Sequence, residues 1–126
     1  MSVYLDTHVC VWLYDGLVDH LTMEAKRRIE DNELLISPMV LLEFQYLVES
    51  KRIGIDPLRI YGYLNATFGI ALCNLPFSVV ANEALSVGWT RDPFDRVIVA
   101  QAAANSQSRL ITADREIRQH YSRAAW

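Results

Sequence analysis

The chain has 126 residues, of which 52% are hydrophobic and 21% are charged, and its formal net charge is −3. This length and composition suffice for one domain covering residues 1–126 without disulfide bonds, and they exclude a disordered or low-complexity protein. The negative charge argues against broad, nonspecific binding of nucleic acid, which normally requires a basic surface.

Signals for export or membrane insertion are not visible in the sequence. The first residues contain no basic region and reach Asp6 almost at once, which argues against a secretory signal. No apolar run approaches the roughly 20 residues that span a bilayer. Cys10 and Cys73 lie in apolar segments without metal-binding spacing. We therefore expect a cytoplasmic protein with buried, reduced thiols and no membrane contact.

Short apolar runs alternate with helical patterns along the chain. The predicted strands cover residues 3–5, 34–36, 70–72 and 109–112. The predicted helices cover residues 8–14, 22–32, 38–52, 57–68, 77–87 and 93–105, followed by a short helix capped by Thr112. Brief strands without polar alternation are typical of parallel strands covered on both faces. The pattern therefore predicts a three-layer α/β/α sandwich with a central, mainly parallel sheet of four to five strands.

Four acidic residues stand out by their positions in this pattern. Asp6 and Asp114 follow the first and last strands, at the sheet edge where α/β proteins bind ligands. Asp95 lies in the first turn of a helix, and Glu43 interrupts an apolar helix, where an uncompensated buried carboxylate costs several kcal/mol. Three or four carboxylates at one edge predict a site for Mg²⁺ or Mn²⁺, which prefer oxygen ligands.

Each of these acids also has a purely structural interpretation. Asp6 could cap the first helix, and Glu43 could face solvent. Asp92 and Asp95 resemble a capping box around a proline at the first helical position. Asp114 could be a first-turn acid that favours the helix dipole. The four structural interpretations would all have to hold for the acidic site to be absent.

Four motifs occur in order along nearly the whole chain: Tyr4–His8, Ser37–Glu43, Arg91–Ala102 and Leu110–Asp114. Together they resemble a PIN domain of the VapC toxin type. The resemblance implies that the catalytic and metal-binding acids are Asp6, Glu43, Asp95 and Asp114. It implies supporting roles for the hydroxyls of Thr7 and Thr112 and for Asp92, which could exchange roles with Asp95. The arginines near this site in sequence, expected to bind substrate phosphate, are Arg91, Arg96 and Arg115.

The resemblance also implies an activity and its partners. The expected protein is a Mg²⁺-dependent endoribonuclease toxin, with Mn²⁺ as the alternative ion, that hydrolyses phosphodiester bonds of tRNA or rRNA through metal-activated water. A VapB-like antitoxin would neutralise it, and the toxin would form a homodimer. Two alternatives remain, namely another Mg²⁺-dependent nuclease or phosphatase and a catalytically silent PIN-fold binding protein. The absence of a nucleophilic DxD motif and the presence of only two lysines argue against a phosphatase.

Overall fold

The computed structural model describes all 126 residues and places a five-stranded parallel sheet at the centre of the fold. Its strands are β1 (Ser2–Leu5), β2 (Glu33–Ile36), β3 (Ala71–Leu72), β4 (Arg109–Ile111) and β5 (Ala124–Ala125). They lie in the order β3-β2-β1-β4-β5, and every neighbouring pair is parallel. The predicted α/β class is confirmed. The two-residue strand β5 was not predicted, because two alanines do not form a recognisable apolar run.

Seven α-helices flank this sheet. They are α1 (Thr7–Asp15), α2 (Met23–Asp31), α3 (Met39–Glu49), α4 (Pro57–Phe68), α5 (Phe77–Ala84), α6 (Pro93–Ala104) and α7 (Arg115–His120). A 3₁₀ turn, Val18–His20, joins α1 to α2. No helix is both long enough and apolar enough to cross a bilayer.

Two helices end earlier than predicted. Helix α3 ends at Glu49 rather than at residue 52, because Lys51 adopts a left-handed backbone conformation with φ 61°. Helix α5 ends at Ala84 rather than at residue 87. The amides of Ser86 and Val87 donate to carbonyls three residues earlier, so the chain tightens into a turn after the helix.

The sheet reverses its strand order beside β1, with β2 on one side and β4 on the other. Leu5 pairs with Ile111, and both are fully buried. The next residue, Asp6, continues this pairing because its N–H donates to the Ile111 carbonyl at 3.0 Å. The segments that follow β1 and β4 therefore leave the sheet side by side at its switch point, where ligand sites of open α/β sheets form.

Candidate active site

Three helices begin with an aspartate at this edge of the sheet. Asp6 caps α1, Asp92 caps α6 and Asp114 caps α7. The prediction that Thr112 caps the last helix is wrong, because the Asp114 carboxylate accepts the Ile117 N–H at 3.0 Å in that role. The partial positive charge of each helix N-terminus favours an ionised carboxylate. Capping and a role in a charged site are thus compatible at the same residues.

Two threonine hydroxyls fix two of the acids. The Thr112 hydroxyl donates to Asp6 Oδ2 at 2.6 Å while accepting the Asp114 N–H at 3.0 Å. The Thr7 hydroxyl donates to Glu43 Oε1 at 2.5 Å, which holds the half-buried Glu43 against the start of α1. A hydrogen-bonded network therefore links the ends of β1 and β4 to α3.

Asp92 and Asp95 take different positions in the first turn of α6. Asp92 Oδ1 accepts the N–H groups of Phe94 and Asp95, at 2.8 and 3.2 Å. The reciprocal bond of a capping box is missing, because the Asp92 N–H donates to the Thr90 hydroxyl instead. The Asp95 carboxylate is therefore free to face the cleft, whereas one Asp92 oxygen is used in capping.

A cleft of about 660 Å³ contains the acids. Its acidic residues are Asp6, Glu43, Asp92, Asp95 and Asp114. The remaining residues of its lining are His8, Trp12, Tyr46, Leu47, Arg52, Pro93, Phe94 and Ala113. The four acids singled out in the sequence, together with Asp92, therefore border one open space at the carboxyl edge of the sheet.

Burial and the charges of neighbouring carboxylates raise the pKa values of three acids in the cleft, Asp6, Glu43 and Asp95. Burial is the largest cause of the raised pKa of Asp6, which the hydrogen bonds from Thr112 and Thr7 partly oppose. Burial likewise raises the pKa of Glu43. The pKa of Asp95 rises from 3.8 to about 7, first through burial and then through the charges of Asp92, Asp6, Asp114 and Glu43. The cleft therefore holds more negative charge than its surroundings stabilise.

A divalent cation would supply the positive charge that the cleft carboxylates lack. The donor atoms are carboxylate oxygens, the ligand type preferred by Mg²⁺ and Mn²⁺. The two salt bridges of the molecule both involve Glu24, so no lysine or arginine neutralises the cleft acids. In their observed conformations, no three Asp, Glu, His or Cys side chains are close enough together to bind one metal ion. Metal binding here would therefore require the carboxylates to approach one another.

The arginines predicted to bind substrate do not line the cleft. Arg96 donates to the carbonyls of Ala84 and Leu85 at the C-terminal end of α5, and Arg91 donates to the carbonyl of Gly88. Arg115 is exposed at the start of α7 and is also outside the lining. The arginine in the cleft is Arg52, which the sequence analysis missed because it was assigned to the end of a longer helix.

Aromatic side chains in the cleft could have been found from helical spacing. Tyr46 lies three residues after Glu43 on α3, and Trp12 lies four residues after His8 on α1. Residues three and four apart share a helix face, so this spacing could have placed Tyr46 beside Glu43 and Trp12 beside His8. Tyr46 packs against Phe94 with ring centroids 5.5 Å apart. These rings form an apolar wall next to the acids.

Comparison with known proteins places the chain in a family. The sequence matches the family model of the PIN domain over residues 3–122. No curated protein matches it. A chain in the crystal structure of VapBC2 from Rickettsia felis bound to a DNA fragment from its promoter has a similar fold, with a TM-score of 0.64 and 18% identity, over 94% of this chain and 92% of that one.

A second solved structure, of DNA-bound VapBC from Salmonella typhimurium, also contains a chain of similar fold. Its TM-score is 0.61 at 17% identity, and the match covers 99% of this chain and 97% of that one. At these identities the structural matches support the fold, whereas the family match covers nearly the whole sequence. The chain belongs to the PIN domain family.

Proposed function

We propose that the chain is a metal-dependent endoribonuclease and the VapC-like toxin of a toxin–antitoxin pair. The observation that carries the proposal is the convergence of Asp6, Glu43, Asp95 and Asp114 on one cleft of a PIN domain, without a cationic partner for any of them. PIN domains are generally nucleases, and both structural neighbours come from VapBC complexes.

The four carboxylates would hold Mg²⁺, or Mn²⁺ as the alternative ion. Such an ion, when bound, polarises a phosphodiester and lowers the pKa of a water molecule. Thr112 and Thr7 restrict the orientations of Asp6 and Glu43, which keeps these carboxylates directed at the cleft. The N-termini of α1, α6 and α7 meet at the same edge, and their partial positive charge favours ionised carboxylates there, as metal ligands must be.

Arg52 is the residue that we expect to hold the substrate phosphate. It is exposed and lines the cleft, where its guanidinium can donate two hydrogen bonds to one phosphate group. Replacing Arg52→Gln should raise the KM for RNA roughly tenfold while changing kcat by less than about twofold. Steady-state cleavage kinetics measure both parameters. Arg59→Gln, an exposed site on α4 outside the cleft, should change neither, and equal effects of the two substitutions would contradict this assignment.

Two surfaces of the molecule support the proposed partners, namely the acidic cleft and an apolar groove. A VapB-like antitoxin would neutralise the toxin by covering the acidic cleft. A second copy of the chain would cover the apolar groove between α3 and α5, where Leu42 is 56% exposed and Phe77 is 67% exposed. We expect the RNA substrate to be tRNA or rRNA. The thiols of Cys10 and Cys73 are free and buried, which is consistent with action in the reducing cytoplasm.

Incubation of the purified protein with different phosphate esters tests the proposed activity. We expect cleavage of tRNA or rRNA in Mg²⁺ or Mn²⁺, products with 3′-hydroxyl ends, and no cleavage in EDTA. Duplex DNA and p-nitrophenyl phosphate should remain intact under the same conditions. Cleavage of DNA or the phosphate monoester in preference to RNA would favour another metal-dependent hydrolase, and the absence of all cleavage would favour a silent binding protein.

A further inference from the structure

Three arginines lie at the edge of the sheet opposite the acidic cleft. Arg109 is the first residue of β4, Arg123 directly precedes β5, and Arg28 lies on α2. The cleft lies at the carboxyl ends of the strands, whereas Arg109 and Arg123 lie at their amino ends. We call these three residues, Arg28, Arg109 and Arg123, the amino-edge arginine cluster.

The strand register places two of these arginines side by side. Leu110 pairs with Ala124, so Arg109 and Arg123 are neighbours one residue earlier, and the Leu110 N–H donates to the Arg123 carbonyl at 3.1 Å. Adjacent strands lie about 4.8 Å apart, so the two arginines that directly precede this pair lie close together. Like charges that lie close together repel one another. Two neighbouring arginines at one edge of the sheet therefore require an explanation.

The carboxylates of the molecule do not neutralise this pair. Glu24 Oε2 lies 2.6 Å from Arg27 and 2.7 Å from Nε of Arg28, and these are the two salt bridges of the structure. The Nε of Arg28 is buried, and Glu24 is its carboxylate partner. Burial, followed by the charges of Arg123 and Arg28, lowers the pKa of Arg109. Arg109 and Arg123 thus carry positive charge without a carboxylate partner.

Backbone geometry holds Arg123 in this position. Its Nε donates to the Gln107 carbonyl at 3.2 Å, in the turn between α6 and β4. Ser106 and Gln107 in that turn both have positive φ, 56° and 54°, which is uncommon for residues other than glycine. The guanidinium of Arg123 is anchored through Nε, and its two terminal nitrogens remain available to a ligand.

We propose that the amino-edge arginine cluster binds backbone phosphates of the RNA substrate at a distance from the scissile bond. The proposal rests on the ribonuclease function and adds a second contact site. A nucleic-acid backbone carries one charge per nucleotide and supplies regularly spaced partners for neighbouring guanidiniums. A four-residue strand is about 13 Å long, so a folded RNA can contact both sheet edges. The cluster would compensate for a cleft that is itself acidic in a chain of net charge −3.

The double variant Arg109→Gln/Arg123→Gln tests this assignment in a binding experiment. The probe is unfractionated tRNA in EDTA, titrated at several KCl concentrations so that cleavage cannot occur. We expect about tenfold weaker binding and a salt dependence, d log K/d log[KCl], reduced in magnitude by about two. The matched control is Lys51→Gln/Arg59→Gln, which removes the same charge from exposed positions and should leave the slope unchanged.

Additional measurements distinguish a phosphate contact at the amino-edge arginine cluster from other causes of weaker binding. Binding of a dinucleotide RNA, which is too short to bridge the roughly 13 Å between the two edges, should be the same for the double variant and the wild type. Equal slopes for the double variant and its control would overturn the proposal, as would loss of duplex DNA binding with tRNA binding unchanged. Wild-type cleavage of tRNA in Mg²⁺ is measured separately, because its absence would contradict the ribonuclease function and not the location of the phosphate contacts.

Discussion

The variant Asp6→Asn is expected to lose at least about a hundredfold in kcat/KM for RNA cleavage while keeping its fold. Asp6 is 6% exposed, and its carboxylate accepts the Thr7 N–H and the Thr112 hydroxyl. Asparagine has the same size and can still accept the Thr7 N–H, whereas the Thr112 hydroxyl can rotate to accept from the amide. The substitution therefore removes the negative charge with little change in packing.

Stability should change in the opposite direction from activity. Burial raises the pKa of Asp6, which means that the folded, metal-free protein disfavours the ionised carboxylate. We expect Asp6→Asn to unfold in EDTA at a temperature equal to or higher than that of the wild type, as found for residues that trade stability for function. Thermal unfolding monitored by circular dichroism measures this difference.

Asp19→Asn is the matched control for the loss of activity. Asp19 is exposed in the 3₁₀ turn and lies outside the cleft, so its replacement should leave both cleavage and unfolding unchanged. Retention of wild-type cleavage by Asp6→Asn would contradict the proposed site. A loss of activity accompanied by a lower unfolding temperature would indicate a structural role for Asp6 instead.

The metal-free chain is expected to become less stable as the pH rises from about 4 to about 7. The pKa of Asp95 is about 7 in the folded protein and 3.8 when unperturbed. Between these values the folded state binds more protons than the unfolded state, so each increase in pH favours unfolding. The raised pKa values of Asp6 and Glu43 contribute with the same sign. The penalty is absent below the unperturbed pKa and complete above about pH 7.

Divalent metal should reverse this trend. Metal ions bind ionised carboxylates in competition with protons, so the stabilisation by Mg²⁺ or Mn²⁺ should increase over the same pH range. Unfolding temperatures measured in EDTA and in Mn²⁺ across the range give both slopes. Asp95→Asn should flatten the slope in EDTA. A wild-type stability in EDTA that rises steadily with pH would show that the cleft acids are stabilised by a contact other than metal.

Much of the fold could be predicted from local sequence features. Brief apolar runs indicated buried parallel strands, and an aspartate followed by proline marked the starts of α4 and α6. The positions of Asp6 and Asp114 after two strands were also readable, because parallel strands end at a common edge. The order of the strands could not be read in this way, since it depends on long-range pairing. That order decides which strand ends are neighbours.

The parts of the site that could not be predicted depend on the direction of side chains and on unusual backbone conformations. The backbone of Lys51 adopts a left-handed conformation that ends α3 early, and the following residue, Arg52, lies beside the cleft. Arg96 is close to Asp95 in sequence, yet its guanidinium donates to carbonyls at the C-terminal end of α5. Proximity along the chain was therefore a poor guide to which arginine lines the cleft. The division of roles between Asp92 and Asp95 likewise required the hydrogen bonds around Thr90.

Calorimetric titration of the purified chain with Mn²⁺ at about pH 8, above the pKa of about 7 of Asp95, tests the acidic cluster as a metal site most directly. We expect saturable binding to the wild type and to Asp19→Asn, and loss of that binding in both Asp6→Asn and Asp95→Asn. Absence of Mn²⁺ binding to the wild type, or binding unchanged by both cleft substitutions, would contradict the assignment of the metal site to these acids.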